Sequence, residues 1–457
     1  MKRREALKTL GVMAGAAGAA RVLPACSDDV ADPVGIQNIV VVMFENRSYD
    51  HLLGARKLEG LGGDGLVAGM ANPNLAGTMI PVYPAPTNGL CVPDPPHGWS
   101  SSHDQWGLGM NQGFLAEYQR SHNDGSLTHV MQYLTRAHVP VAWSLADNYT
   151  TCDRYFCSVM GPTWPNRMFW HSGDSNGLIT NEFPTQGFNW PSIYHRLDPK
   201  GVGWRYYYVD LPVLALIDTL DKDGKVWDVS EFYNDAALGQ LQPVTYIDPG
   251  FGSNDDHPPH HPLLGQQFLA SIYTALATSP QWKNTLLVVT YDEHGGFFDH
   301  VSPPKITGDA RAAAGFDQLG FRVPATIIGP YVKAGYVSSV VHDHCSVLRH
   351  IEQQFGLDPC NARTAAATDL GDAIDQDALA ANLPRDPSPI PAVEIDESMI
   401  GDECRTTVRE TPDMIKLADA RPDLFRGYDR RARTRETLYM IGDYLEKHNV
   451  GRIRRGR

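Results

Sequence analysis

The sequence predicts an α/β layered fold with a largely parallel central β-sheet flanked by helices. Residues 36–44 and 284–291 are short apolar runs, rich in β-branched side chains and without alternation, the pattern of strands covered on both faces. Residues 323–328 form a third such run, closed by Gly329-Pro330. Residues 266–278 set Phe268, Ile272 and Leu276 on one helical stripe. Residues 344–355 do the same with Val347, Leu348, Ile351 and Phe355, with Asp343 as N-cap and Gly356 past the end. Strands alternating with helices indicate a parallel sheet with helices on its faces.

The composition bounds the function. At 457 residues, with 42% hydrophobic and 9% aromatic residues, the chain buries a large core and is no disordered protein. A formal charge of -14 argues against nucleic acid as a partner, because phosphate backbones are bound by basic surfaces. Small phosphorylated substrates remain open, since a metal ion can hold them.

Residues 1–26 read as an export signal. Lys2, Arg3 and Arg4 precede a small apolar stretch too short to span a membrane, and the paired arginines followed by Leu7-Lys8 resemble a twin-arginine signal. Leu23-Pro24-Ala25-Cys26 resembles a lipobox, in which a lipidated Cys26 would anchor the mature chain to a membrane; the alternative is plain cleavage nearby. The expected location is exported: periplasmic, secreted or lipid-anchored at the bacterial cell envelope. Six further cysteines, Cys91, Cys152, Cys157, Cys345, Cys360 and Cys404, allow up to three disulfides in an oxidising compartment. The local pairs Cys152 with Cys157 and Cys345 with Cys360 lead, against an alternative of buried free thiols. The absence of a Cys-x-x-Cys pattern disfavours a thiolate zinc site.

Residues 36–365 carry the strand and helix signals and read as the catalytic domain. Within it, residues 54–113 are rich in glycine, proline and asparagine, which suggests a lid or substrate-facing insertion. Residues 366–457 read as a C-terminal extension packing on or trailing that domain, with one helical signal at 434–446 and a basic, solvated tail at 452–457. Trp204-Arg205-Tyr206-Tyr207-Tyr208 is either a core strand or part of a lipid access route.

Both leading strands end in acid. Glu45-Asn46-Arg47-Ser48-Tyr49-Asp50 follows the first, and Asp292-Glu293-His294-Gly295-Gly296 the second. Ligands bind beyond the carboxyl ends of strands in open α/β sheets, so these two ends converging would make a cation site. Thr163 stands in Gly161-Pro162-Thr163-Trp164-Pro165-Asn166-Arg167, exposed by a rigid turn near a helix start. A threonine hydroxyl attacks only if a cation or base stabilises its alkoxide. Taken alone, Thr163 reads more readily as the N-cap of a structural turn.

Taken jointly, residues 45–51, 152–167, 255–259, 291–301 and 342–352 resemble the family of bacterial and plant phosphoesterases that includes phosphatidylcholine-preferring phospholipases C and acid phosphatases. The resemblance implies an alkaline-phosphatase-like fold. The Thr163-x-Pro165-x-Arg167 frame is similar to the nucleophile motif of sulfatases, which need cysteine or serine there, so phosphate esters are favoured. By the same resemblance Glu45, Asn46, Asp292 and Glu293 would bind a divalent metal ion, with Asn46 otherwise holding a phosphoryl oxygen. Hard oxygen ligands suit Mg²⁺, Ca²⁺ or Mn²⁺, and carboxylates also take Zn²⁺. Thr163 would form a phosphothreonine. Arg167 would bind phosphate or clamp Glu45 or Asp292. His257 and, more loosely, His103 would face the phosphoryl group as donor or acid. His300 and His344 read as orienting or capping residues, His260 and His261 as neighbours of His257, and the histidine-rich patch leaves a binuclear site as an alternative.

The expected activity is an exported phosphoesterase of the phospholipase C type acting on phospholipid. The alternatives are an acid phosphatase acting on small phosphate monoesters and a non-catalytic phospholipid-binding surface lipoprotein.

Overall fold

The computed structural model describes residues 35–183, 187–396, 404, 413–420 and 430–454. Residues 1–26 and the Cys26 lipidation expected there lie outside the described residues. No helix among the described residues is long and apolar enough to cross a membrane.

Eight strands form one sheet: β1 (Asn38–Phe44), β2 (Thr150–Cys152), β3 (Trp204–Tyr208), β4 (Val226–Asp228), β5 (Val244–Asp248), β6 (Thr285–Tyr291), β7 (Ala325–Ile328) and β8 (Tyr336–Ser338). Their spatial order is β8-β2-β7-β6-β1-β5-β3-β4. Only β7 runs against its neighbours; every other pairing is parallel. The predicted α/β layering is observed, and the third apolar run is the antiparallel exception. Every residue of β1, β5, β6 and β7 is buried, as unalternating apolar strands require. In β3, Trp204, Tyr206 and Tyr207 are buried, so the aromatic run is core and not a lipid access route.

Five helices frame the site or pack the sheet around it: α1 (Trp99–Trp106), α2 (Thr163–Ser172), α3 (Pro262–Ala277), α4 (His344–Gln354) and α5 (Arg430–Lys447). In α3, Phe268, Ile272 and Leu276 face the core, and α4 opens with a capping box between Asp343 and Ser346. The insertion at 54–113 is less irregular than its composition suggests. It contains α1 and a hairpin pairing Ala71–Pro73 with Met79–Pro81.

Two expectations near the C-terminus and among the cysteines are corrected. Residues Gly451–Arg454 pair in parallel with Val393–Asp396, and Glu394 binds Arg452 and Arg454, so this segment is a strand, not a frayed tail. The disulfide joins Cys91 to Cys404, with Cα atoms 5.0 Å apart. Cys152, Cys157, Cys345 and Cys360 are free. Cys345 lies in the first turn of α4 and Cys360 beyond its end, so roughly 15 Å of helix at 1.5 Å per residue separates them. Cys157 turns instead to the Val159 carbonyl. Nearness in sequence was no guide to nearness in space.

Candidate active site

Strand register builds the site. Phe44 is paired with Tyr291 across β1 and β6, so the next residues, Glu45 and Asp292, leave the sheet side by side. The Asp292 amide donates to the Phe44 carbonyl at 3.0 Å, and the Asn46 amide donates to Asp292 Oδ1 at 3.0 Å. Asn46 takes φ +61°, a left-handed backbone that asparagine tolerates and that re-aims its side chain into the crevice. Gly295 follows at φ +63°, where an added Cβ would lie 2.1 Å from the Asn46 carbonyl oxygen, so glycine is required for the two turns to meet.

Under these acids lies Arg167, fully buried one turn into α2. Its Nε donates to Glu45 Oε1 at 3.2 Å, its Nη1 to Asp248 Oδ1 at 3.2 Å at the end of β5, and its Nη2 to the Met43 carbonyl at 3.3 Å. Asp292 Oδ2 is 3.8 Å away. Its guanidinium also lies over the Phe251 ring. Of the two roles open in the sequence, the structure therefore gives Arg167 the clamp on the carboxylates. Thr163 precedes it by four residues, on the same face of α2 and one turn nearer the crevice, at the positive end of the helix. Thr163 is only 3% exposed, so the turn does not present it to solvent as expected but buries it at the helix start.

The oxygen set fits a divalent cation. Asn46 Oδ1, Asp292 Oδ2 and Glu293 Oε1 are buried without a hydrogen-bond partner, as is Asp255 Oδ2 next to Glu45. Orphaned buried oxygens carry a desolvation cost that a hard cation removes. Burial pushes the carboxyls of Glu45 and Glu293 well above the ordinary range and Asp292 upward too, with Arg167 opposing the shift at Glu45 and Asp292 and His97 opposing it at Glu293. Burial thus disfavours the charged form of these acids, which links proton release to ion binding.

The histidines divide sharply. His257 is buried, and its Nδ1 donates to the Pro258 carbonyl at 2.6 Å, which leaves Nε2 with its lone pair. Burial and the neighbouring His97 push its pKa well below the usual value, so in this form it offers an acceptor and not the proton expected of an acid. His103 instead lies on α1, bonded through Nδ1 to the Trp99 carbonyl and packed against the Trp99 and Trp106 rings. None of its bonds or ring contacts among the described residues reaches the carboxylates. Two histidines do reach Glu293: His294, whose Nδ1 lies 3.2 Å from Oε2, and His97, which sequence reasoning missed. His97 Nδ1 donates to the Pro95 carbonyl at 2.7 Å, Asn46 Nδ2 donates to its Nε2 at 3.3 Å, and Glu293 Oε1 is 3.9 Å from Nε2. That contact orients the Asn46 amide so that Oδ1 is the atom left for a cation. The signal was present in Asp94-Pro95-Pro96-His97, a rigid acid-to-histidine turn in the same insertion. Asp94, His97 and His257 each bring a ligand-type atom within 4.8 Å of the others. His260 Nδ1 bonds Asp255, and His344 Nε2 donates to the Asp292 carbonyl at 2.8 Å, steadying the strand end.

A cavity of about 410 Å³ opens between the insertion and α2, lined by His97, Gly98, Trp99, Pro162, Thr180 and Asn181. It is bounded on one side by the carboxylate-contacting His97 and on the other by the residue preceding Thr163.

Known proteins resemble this chain in sequence. The sequence profile of the Phosphoesterase family matches residues 36–358. Non-specific phospholipase C6 of Arabidopsis thaliana is 33% identical over 367 residues, 70% of this chain and 68% of that protein. Phospholipase C B of Mycobacterium tuberculosis is 30% identical over 403 residues, 74% of this chain and 76% of that protein. Among solved structures, a protein of the alkaline phosphatase superfamily from Vibrio parahaemolyticus is 10% identical, covering 74% of this chain and 70% of that chain, with a TM-score of 0.36. The chain belongs to the Phosphoesterase family and is a hydrolase acting on phosphoric ester bonds.

Proposed function

We propose that the protein is an exported, metal-dependent phospholipase C, cleaving the glycerol-side phosphate ester of a phospholipid through a phosphothreonine at Thr163. The observation that carries this reading is the placement of Thr163 one helical turn above Arg167, whose guanidinium holds the Glu45 and Asp248 carboxylates. Glu45, Asn46 Oδ1, Asp292 and Glu293 would hold a divalent ion, which when bound supplies charge neutralisation at phosphorus and acidifies the Thr163 hydroxyl. Thr163 Oγ forms a bond to phosphorus in line with the departing glycerol oxygen, whose bond to phosphorus breaks. His257 Nε2, held unprotonated by the Pro258 carbonyl on its far side, takes the Thr163 hydroxyl proton, and a proton from solvent completes the departing glycerol oxygen on the opposite side of phosphorus. Water then displaces Thr163, releasing the phosphorylated head group. The positive end of α2 stabilises charge at Thr163 throughout.

The relatives named as phospholipases C support the lipid substrate over a simple monoester. The signal-like residues 1–26 and the Cys91–Cys404 disulfide support export, to the periplasm, the medium or a lipid anchor at Cys26. The test is a product assay on phosphatidylcholine and on a phosphate monoester, with and without chelator. Diacylglycerol and phosphocholine, both lost on chelation, are expected. Inorganic phosphate from the monoester alone would replace the reading with an acid phosphatase.

A further inference from the structure

We infer that the tip at residues 107–110, together with the neighbouring hairpin, docks the enzyme onto a zwitterionic lipid surface. The inference rests on the phospholipid reading above and adds the interface at which that substrate is met.

Leu108 is 88% exposed and Met110 is 65% exposed, at the end of α1. Leu108 is also held at φ 58°, ψ 35°, a left-handed backbone that a leucine rarely adopts, between Gly107 and Gly109, which are left-handed as well. A sequence under folding constraint alone would place glycine or asparagine at Leu108; here an apolar side chain is pushed into solvent at a strained position. The tip is anchored, because Trp106 Nε1 donates to Ser302 Oγ at 3.0 Å.

A second apolar projection shares its base. Asn72 Nδ2 donates to the Asn111 carbonyl at 2.8 Å, and Asn72 Oδ1 accepts from the Leu115 amide at 3.1 Å, so the 71–81 hairpin is tied to the residue that follows the tip. That hairpin carries Leu75 and Met79, each about half exposed. Four large apolar side chains therefore stand in solvent on two joined projections, the arrangement of a shallow interfacial anchor.

Charge selects the surface. Residues 66–113 contain Asp94 and Asp104 and no lysine or arginine, in a chain that is 20% charged. Anionic membranes recruit proteins through basic clusters. This segment has none, and the net charge of -14 opposes such recruitment, so a neutral, zwitterionic headgroup layer is the surface it fits. Position agrees with use: α1 begins at the cavity wall formed by His97, Gly98 and Trp99 and ends at the tip, about 11 Å away at 1.5 Å per residue. Anchoring one end of α1 brings the cavity to the lipid headgroups.

The test uses the full chain with vesicles of pure phosphatidylcholine and mixed vesicles containing phosphatidylglycerol, measuring cosedimentation and hydrolysis. A monomeric short-chain phosphatidylcholine serves as the soluble substrate. L108D/M110D should weaken binding to phosphatidylcholine vesicles about tenfold or more and lower vesicle hydrolysis in step, with turnover of the monomeric substrate unchanged. L108G, which relieves the backbone while removing the side chain, should weaken binding in the same direction without loss of thermal stability. Vesicle binding equal to wild type in both variants, or no binding of phosphatidylcholine vesicles by wild type, overturns the inference. Binding that grows with phosphatidylglycerol content overturns the zwitterionic assignment. Loss of binding in the variants with no phosphatidylcholine turnover by any form upholds the docking surface and removes the phospholipase reading.

Discussion

Two buried acidic clusters stand near each other in sequence and differ in how their charge is met. In the first, Arg322 donates to Asp50 Oδ1 and to Asp299 Oδ1, each at 2.9 Å, and His300 donates from its amide and Nδ1 to Asp50 Oδ2. Asp299 Oδ2 accepts from the Asp50 amide, and His300 Nε2 reaches Asp64. Every carboxylate oxygen of Asp50 and Asp299 is used, although Asp50, Asp299 and His300 have the composition and spacing of metal ligands. In the second, Arg167 meets Glu45 and Asp248 from below, while Asn46 Oδ1, Asp292 Oδ2 and Glu293 Oε1 accept no hydrogen bond. Arg322, His300 and backbone amides together satisfy every oxygen of the first set and make it a structural joint. The second set keeps buried oxygens that accept no hydrogen bond, and that difference is the ground for proposing it as the cation site.

Substitutions at either cluster put this contrast at risk. The largest effect falls on turnover: Thr163→Ala should fold with unchanged circular dichroism and melting temperature yet lose about 10³-fold or more in kcat/KM. Retention of most activity would remove the covalent step. Next comes stability. Arg322→Met leaves Asp50 and Asp299 buried without their cation and should cost about 3–5 kcal/mol in chemical denaturation, whatever metal is present. Arg167→Met should also destabilise, but a saturating divalent ion should recover part of that loss, because the ion and Arg167 both neutralise Glu45 and Asp292. Equal recovery in both variants would erase the distinction.

Smaller effects follow from protonation and from the histidines. The carboxyls of Glu45, Asp292 and Glu293 are raised in the fold by burial, so in the chelated protein they retain protons that the unfolded chain releases above its ordinary carboxylate range, about pH 4. Their contribution is therefore fully present below that range and lost as pH rises through the raised folded values. The melting temperature of chelated protein should fall with rising pH, while the metal-loaded protein should lose much less; a flat chelated profile contradicts the fit. His97→Ala should lower kcat/KM by about tenfold or more through its contact with Asn46, whereas His103→Ala should stay within about a few-fold. The reverse order would restore His103 to the site.

Much of this architecture is legible in the sequence alone. The two acid-tipped strands, the α/β layering and Thr163 at a helix start are short-range signals, set by apolar runs and turn chemistry within a few residues. The convergence of residues 45 and 292 was legible as a rule about strand ends, though the Phe44–Tyr291 register that enforces it is not encoded locally. The misses were long-range or geometric. Cys91 and Cys404 are separated by 313 residues, and no local pattern selects that pair from fifteen. His103 is indicated only by a loose family resemblance in a loop-rich insertion that also holds His97, and a helix start between them sends one side chain inward and the other against Trp99 and Trp106. Residues 452–454 looked like a solvated basic tail because the acidic partner strand, Val393–Asp396, lies far earlier in the chain.

The central claim is that the unpartnered oxygens, and not the arginine-filled cluster, hold the metal. The direct measurement is divalent-ion stoichiometry and affinity by calorimetry for wild type, Glu293→Gln and Asp299→Asn. A tight site is expected in wild type, lost or strongly weakened in Glu293→Gln and retained in Asp299→Asn; unchanged binding in Glu293→Gln, or loss in Asp299→Asn alone, would place the ion elsewhere.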